Sequence, residues 1–361
     1  MKTIAFSKGR ATAQPLTEAD AVAAIERLPK WLLCIPLVAQ WCWLALHYRS
    51  LTLPSTLNPE VETGGLVGES KLAYLCRIED SFAAHVAKTG AVYPGDNPDL
   101  VRAMTGITYP LIAKPDIGWC GYGVRRINTG AELAAYAEVF PQPGPFLIQQ
   151  LATGVREAGI LYVRRPGDVR GRIGAMTIRH LPQVTGDGQR TVGALIAASA
   201  RAAPRLHLYQ KSLGAIELSR IPGLHERVAL TTVASARVGG RYEDAMALVT
   251  PALEKIVDEL SRSMGGFHYG RYDVKFEFLR DLRAGRFTII EVNGAGSEAI
   301  QFWDSRLTLV QAFRGVFAKQ REIFALGHLM RARGVKPVGV ARLMAAFLRQ
   351  RRLIKSYPPS N

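Results

Sequence analysis

Neither closely spaced cysteine pairs, a secretory signal nor tandem repeats are apparent in this chain of 361 residues. The four cysteines (Cys34, Cys42, Cys76 and Cys120) never stand in the C-x-x-C spacing. Their positions therefore argue against a zinc site and a disulfide framework, and they are typical of a reducing cytosol. The first thirty residues are polar and mixed in charge, so no secretory signal is expected and we predict a cytoplasmic protein.

Acidic residues are also few, because 30 Asp and Glu stand against 46 Lys and Arg, giving a net charge of +16. Such an excess favours a negatively charged partner, either an anionic membrane surface, nucleic acid or a phosphorylated substrate. No nucleic-acid-binding motif accompanies the charge, so nucleic acid is not expected as a partner. No Ser–His or Cys–His nucleophile stands out either.

Two segments near the ends of the chain have compositions suited to a membrane surface. The first, Trp31–Tyr48, is almost uncharged and holds three tryptophans and a tyrosine, which prefer membrane interfaces. It predicts either contact with an anionic membrane or a buried core helix. The second, residues 338–355, mixes apolar and basic residues at helical spacing. It predicts a helix that lies on anionic lipid or docks on its own domain with a solvated basic face.

Two strand-like runs carry the most informative polar residues. Side chains alternate along a strand, so RYDVKFEF places Arg271, Asp273, Lys275 and Glu277 on one face. The same alternation along FTIIEVN gives one face to Phe287, Ile289, Glu291 and Asn293.

The short polar link LRDLRAGR between these runs predicts an antiparallel hairpin. Pairing would bring Asp273, Glu291 and Asn293 together beside Arg271. Hard oxygen ligands of this kind suit Mg²⁺, which binds one or two carboxylates together with phosphate oxygens. The alternative is a solvated sheet face with ordinary cross-strand charge pairs.

A glycine-rich stretch, TYPLIAKPDIGWCGYGVRRI, offers a second candidate site. It predicts a strand ending at Lys114, a loop with Gly118, Gly121 and Gly123, and a second strand. Glycines let backbone N–H groups approach an anion, and a neighbouring lysine adds positive charge. The stretch matches neither the P-loop nor the dinucleotide fingerprint. It predicts either a phosphate-binding loop or a simple hairpin.

Taken in order, these features resemble the ATP-grasp superfamily, and within it the carboxylate–amine ligases such as D-alanine–D-alanine ligase. AKPDIGWCGYGV and YDVKF…IIEVNG carry the resemblance, and VTGDGQRTVGALI is similar to a segment of cyanophycin synthetase. It covers residues 64–300 approximately. It implies an α/β (α+β) fold in which two α/β subdomains clasp ATP, with a reduced helical N-terminal region and a basic C-terminal helix.

The resemblance also implies a domain division. Residues 1–65 would form a short N-terminal region with an apolar, membrane-contacting helix. Residues 66–320 would form the ATP-grasp domain, in which 108–185 include the glycine-rich flap. Residues 321–361 would form the basic amphipathic C-terminal helix and tail.

The resemblance assigns nucleotide contacts to nine residues. Lys114 and Lys71 would hold the phosphates, Glu157 would accept from ribose hydroxyls, and the remainder would form the flap and the adenine-bordering hinge. These remaining residues are Gly118, Gly121, Gly123, Gln149, Gln150 and Leu151.

The resemblance further implies that Asp273, Glu291 and Asn293 bind magnesium, with Glu291 bridging two ions and Mn²⁺ as an alternative metal. Arg271 would stabilise the transferring phosphoryl group, with Lys114 as a second catalytic residue. The expected activity is ATP-dependent ligation of a carboxylate, through an acyl phosphate, to an amine or other nucleophile.

Only about seventy residues precede Lys71, the first of the two expected phosphate-binding lysines, and this is fewer than in family members. This difference favours a small-molecule or lipid-linked substrate presented at the inner face of the membrane. A phosphotransferase acting on a small or lipid acceptor is the alternative activity.

Overall fold

The computed structural model describes residues 21–141 and 143–360, which fold into α-helices and three antiparallel sheets. The helices are α1 (Lys30–His47), α2 (Lys71–Leu75), α3 (Pro98–Thr105), α4 (Gly130–Val139), α5 (Val192–Ala198), α6 (Leu206–Ser219), α7 (Pro251–Ser263), α8 (Leu279–Arg283), α9 (Leu309–Ala332) and α10 (Val340–Ser356). The strands are β1 (Thr89–Val92), β2 (Leu111–Pro115), β3 (Arg125–Ile127), β4 (Phe146–Gln150), β5 (Arg156–Val163), β6 (Arg172–His180), β7 (Gln183–Thr185), β8 (Arg227–Ala229), β9 (Arg241–Asp244), β10 (Tyr269–Phe276) and β11 (Thr288–Asn293).

The strands divide among the sheets by their position in the chain. A four-stranded sheet has the order β1-β4-β2-β3, and a five-stranded sheet has the order β11-β10-β5-β6-β9. The strands β7 and β8 form a separate two-stranded ribbon that shares a small core with α5 and α6. Helices and antiparallel sheets in this combination confirm the predicted α+β class.

One face of the five-stranded sheet is buried under α7. Leu253, Val257 and Leu260 lie on one side of this helix and pack in the same core as Tyr272 and Val274 of β10. The Thr250 hydroxyl accepts from the Leu253 N–H and caps the helix. Burial of each such apolar side chain contributes roughly 1.5–3 kcal/mol. This core fixes β10 and thereby the polar residues on its other face.

The opposite face of β10 is apolar at one end and charged at the other. Tyr269 is fully buried in the core that α9 covers, with Phe324 as a neighbour in that core. Arg271, Asp273 and Lys275 follow at alternate positions on the same face. The strand therefore anchors the charged residues next to a packed core.

A β-bulge at Ile290 makes the predicted alternation of β11 wrong. Asp273 pairs with Glu291, but the next pair is Val274 with Ile289, so Ile290 is the extra residue. Ile289 is consequently buried in the core beneath the sheet and does not share a face with Glu291. The bulge keeps Glu291 on the polar face while the strand's first half keeps its apolar residue inside.

The link between β10 and β11 also differs in detail from the predicted tight hairpin. The two strands pair antiparallel as predicted, but the short helix α8 lies between them. Leu282 of this helix is fully buried beneath the sheet, which explains why the connection is helical.

The glycine-rich stretch forms the predicted pair of antiparallel strands, β2 and β3. In the loop between them, Gly121 and Gly123 have φ angles of 74° and 73°, a region that favours glycine. The Tyr136 hydroxyl donates to the Gly123 carbonyl at 2.8 Å and ties the loop to α4.

The C-terminal helix α10 packs across this glycine-rich loop. Gln350 donates to the Gly118 carbonyl at 3.1 Å, and the Ser360 hydroxyl donates to the Gly121 carbonyl at 2.7 Å. Tyr357 stacks on the ring of Phe140. Of the two alternatives left open by the sequence, these contacts correspond to docking on the protein itself.

The apolar N-terminal segment forms α1, which packs on α9. Gln40 donates to the Phe317 carbonyl, Gln320 donates to the Leu37 carbonyl, and the ring of Trp41 lies against Phe324. The helix α9 runs continuously through residue 321, where the sequence suggested the start of a C-terminal segment. No helix in the described part of the chain combines the length and apolarity needed to cross a membrane.

Candidate active site

The pairing of β10 with β11 brings the predicted metal-binding residues together. Asp273 lies directly opposite Glu291, and Arg271 lies directly opposite Asn293. The antiparallel pairing was predicted from the sequence, and the bulge at Ile290 leaves both of these cross-strand pairs intact. Two carboxylates, one amide and one guanidinium therefore share the polar face of the sheet.

Two arginines hold the Asp273 carboxylate. Arg271 Nε donates to Oδ1 at 2.7 Å, and Arg179 Nη1 lies 2.7 Å from Oδ2. Burial alone would raise the pKa of Asp273, but the two guanidinium groups lower it below its ordinary value. Burial would lower the pKa of Arg179, yet Asp273 and Glu157 raise it. Asp273 and Arg179 therefore stay ionised.

Glu157 on β5 extends this network of ion pairs. It lies opposite Lys275 of β10, with 3.1 Å between Lys275 Nζ and Glu157 Oε1. Arg179 of β6 is its partner on the other side, at 3.9 Å. Glu157 is buried, so these two cations compensate for the loss of solvation.

Gly159 provides space for the Arg271 side chain. It pairs with Asp273 across the strands, and a Cβ atom here would stand 3.1 Å from Arg271 Cδ. The same Cβ would be 2.7 Å from Ile300 Cδ1. Glycine at this position lets the guanidinium reach both Asp273 and the Glu298 carbonyl, at 2.8 Å.

Two lysines face β11 from outside the five-stranded sheet. Lys114 of β2 donates to the Ile290 carbonyl at 2.7 Å and to Gln149 Oε1 at 2.9 Å. Lys71, at the start of α2, lies 3.5 Å from Glu291 Oε1 and donates to the Asp116 carbonyl at 3.2 Å. The bulge thus places a backbone carbonyl where Lys114 can reach it.

Burial lowers the pKa of Lys114 to about 8, with Glu291 acting in the opposite direction and Lys71 adding to the decrease. The ammonium has three N–H groups and uses two in the contacts above. The third N–H group is left to donate to a ligand. Such a desolvated cation is expected to bind an anion strongly, because no solvent has to be removed from it first.

Asn293 supplies an unpartnered amide. Its Nδ2 atom is buried and has no hydrogen-bond partner, which is costly unless a ligand completes the site. In the described residues, no three His, Cys, Asp or Glu side chains are grouped so as to hold a metal ion. Asp273, Glu291 and Asn293 fit Mg²⁺ only as a partial ligand set, which phosphate oxygens and water would complete.

Other predicted residues lie around this centre in different settings. A Cβ atom on Gly118 would be 2.7 Å from Lys71 Nζ, so this part of the loop lies against the second lysine. The Gln149 amide bridges Lys114 and Thr89. Gln150 accepts from the Thr108 N–H instead, so its side chain is already engaged at the far side of β4. Leu151 follows directly after β4.

Three residues of the centre went unassigned in the sequence. Arg179 gave no local signal, and Lys275 was placed on the charged face without a role, because both roles depend on the register of β6 and β10 with β5. Glu69 is the third: Tyr74 donates to its carboxylate at 2.6 Å and the Gly294 N–H donates at 3.0 Å. Burial nonetheless raises the pKa of Glu69 to about 7.

Solved structures to which this chain is similar include a glutathione synthetase and a D-alanine–D-alanine ligase. No protein-family model matches the chain, and no curated protein matches it in sequence. A bifunctional glutathione synthetase from Pasteurella multocida is 14% identical with a TM-score of 0.35, over 69% of this chain and 36% of its own. D-alanine–D-alanine ligase from Bacillus anthracis is 13% identical with a TM-score of 0.41, over 73% of this chain and 68% of its own.

This chain thus spans about a third of the length of the glutathione synthetase. Both TM-scores are low, so the chemistry has to be inferred from the site itself.

Proposed function

We propose that this protein is an ATP-dependent ligase that activates a carboxylate as an acyl phosphate and joins it to an amine or other nucleophile. One observation supports this most strongly: three cations pair with two carboxylates beside an unpartnered amide, and a fourth cation contacts the backbone of the same strand. The cations are Lys71, Lys114, Arg179 and Arg271. A polyphosphate with a divalent cation complements such a site in both charge and ligand chemistry.

In this proposal the side chains position and neutralise the phosphates, as phosphoryl transfer requires. Lys114 and Lys71 bind phosphate oxygens from the glycine-rich side. Arg271 stabilises the phosphoryl group in transfer from the sheet side. Asp273, Glu291 and Asn293 would hold Mg²⁺, most simply two ions, with Mn²⁺ as an alternative; the metal would neutralise charge on the phosphates.

The proposed reaction has two chemical steps. A carboxylate oxygen of the substrate attacks the γ-phosphorus, the bond to the β–γ bridging oxygen breaks, and ADP leaves. The amine then attacks the acyl carbon, inorganic phosphate leaves, and the amine gives up a proton. We further propose an amphiphilic or lipid-linked substrate and a cytoplasmic protein peripheral to the membrane.

A substrate screen with Mg²⁺ and ATP tests the proposal when ADP and phosphate are followed separately. Equal release of ADP and phosphate, dependent on both a carboxylate and an amine, is the expected result. ADP without phosphate, together with a stable phosphorylated product, would replace the ligase by a phosphotransferase. Glu291→Gln should abolish turnover, and Glu277→Gln, at an exposed position after β10, is the matched control.

A further inference from the structure

The outer face of α1 is an apolar surface that nothing in the described residues covers. Its side chains recur at helical spacing along one strip, with exposed fractions of 56% to 80%: Trp31, Ile35, Val38, Trp43 and Leu46. The opposite side of the helix carries Leu33 and Leu44, which are buried against the domain. A strip of this size is typical of an interaction surface, because monomeric proteins rarely expose contiguous apolar area.

Positively charged residues flank this strip at both of its ends. Arg27 and Lys30 are exposed where the helix begins, and Arg49 is exposed just after it ends. No acidic residue occurs from residue 27 to residue 59. The surface is therefore apolar along its length and cationic at its ends.

This charge arrangement disfavours a second copy of the chain as the occupant. In a two-fold symmetric pair, the same patch faces itself. If the two helices ran antiparallel, Lys30 would face Arg49 of the other copy, and if they ran parallel, like residues would face each other. Cation would oppose cation in both arrangements, which is unfavourable for association.

We propose that the outer face of α1 docks on an anionic lipid surface. The helix would lie in the plane of the membrane, because its other side is packed on α9. The exposed rings of Trp31 and Trp43 suit the interface between headgroups and acyl chains. Arg27, Lys30 and Arg49 would meet the lipid phosphates, each strengthening binding about fivefold.

Lys30, at the start of α1, interacts electrostatically with the glycine-rich loop. Burial raises the pKa of the Cys120 thiol in the glycine-rich loop to about 11, and Glu298 raises it further. Arg237, Arg271 and Lys30 act in the opposite direction. Lys30 thus lies within electrostatic reach of this loop.

Flotation of the full-length protein with vesicles tests this surface directly. The probes are phosphatidylcholine vesicles with and without phosphatidylglycerol, at low and high salt. We expect binding to the anionic vesicles that weakens but persists at high salt, because apolar burial is insensitive to screening. The double variant Ile35→Gln, Val38→Gln should bind about tenfold more weakly at both salt concentrations, and Lys30→Gln about fivefold more weakly at low salt only.

A matched control replaces exposed apolar residues outside α1. Ile216 and Val169 are 90% and 77% exposed, so Ile216→Gln, Val169→Gln should bind vesicles like the wild type. Failure of the wild type to bind anionic vesicles at low salt would overturn the proposal. A second result would also overturn it: the wild type self-associates and does not bind vesicles, and Ile35→Gln, Val38→Gln abolishes the self-association. A second copy of the chain would then be the occupant.

Discussion

Replacement of Lys114 by methionine should change how the stability of the protein depends on pH. Lys114 is 5% exposed, and burial lowers its pKa from the ordinary value of 10.5 to about 8. Between these two values the native state has lost the Lys114 proton while the unfolded state keeps it. The free energy of unfolding of the wild type then rises with pH, because the unfolded state binds more protons.

The magnitude follows from the difference between the two pKa values. Each pH unit in that window adds about 1.4 kcal/mol to the free energy of unfolding of the wild type. The total gain is about 3 kcal/mol by the upper end of the window. This gain is lost progressively as the pH falls from 10.5 to about 8, because the native state takes up the proton there, and below about 8 both states keep it. Lys114→Met lacks the titrating group and should show none of it.

Urea denaturation from about pH 7 to about pH 10 measures this difference. Subtracting the Lys114→Met data cancels every other titrating group, including Lys319, whose pKa burial also lowers to about 8. Lys255→Met is the control, since that side chain is 72% exposed on α7. If wild type and Lys114→Met differ by a constant amount at every pH, Lys114 is not a desolvated cation and the reasoning is refuted.

Three further predictions concern the surroundings of the site. Gly159→Ala should displace Arg271 and lower kcat with little change in ATP affinity, which steady-state kinetics with a substrate from the screen would reveal. Tyr74→Phe removes the hydrogen bond to Glu69, so chemical denaturation should show a loss of about 1–2 kcal/mol and carboxyl NMR should show a higher Glu69 pKa. Deletion of residues 357–361 should speed hydrogen exchange in the glycine-rich loop, which Tyr357 braces; unchanged exchange there would contradict the bracing.

Strand alternation was sufficient to predict the charged face of β10. Tyr272 and Val274 are buried and Asp273 lies on the opposite face, as period-two spacing requires. The same rule failed at Ile289 of β11. The extra residue at the bulge, Ile290, turns the residues that precede it in the strand to the opposite face of the sheet. A bulge depends on pairing with a neighbouring strand, so a single strand's sequence does not reveal it.

Contacts between distant segments were the other part that the sequence could not supply. Arg179 lies on β6 and Asp273 on β10, and the two strands are held in one sheet by β5 between them. The contact between the two side chains therefore depends on how three separate strands pair. Gln350 reaches Gly118 across 232 positions of the chain. The segment forming α1 was recognised as apolar and interfacial in composition, but which of its faces is exposed follows from its packing on α9.

Calorimetric titration of the full-length protein with a non-hydrolysable ATP analogue tests the central claim most directly. With Mg²⁺ present, the analogue should bind at one site per chain, and above about pH 8 binding should take up a proton as the phosphates restore the charge of Lys114. Glu291→Gln should weaken the Mg²⁺-dependent part of binding, and Glu277→Gln should leave it unchanged. Absence of binding by the wild type, with and without Mg²⁺, would contradict a nucleotide site at this face of the sheet.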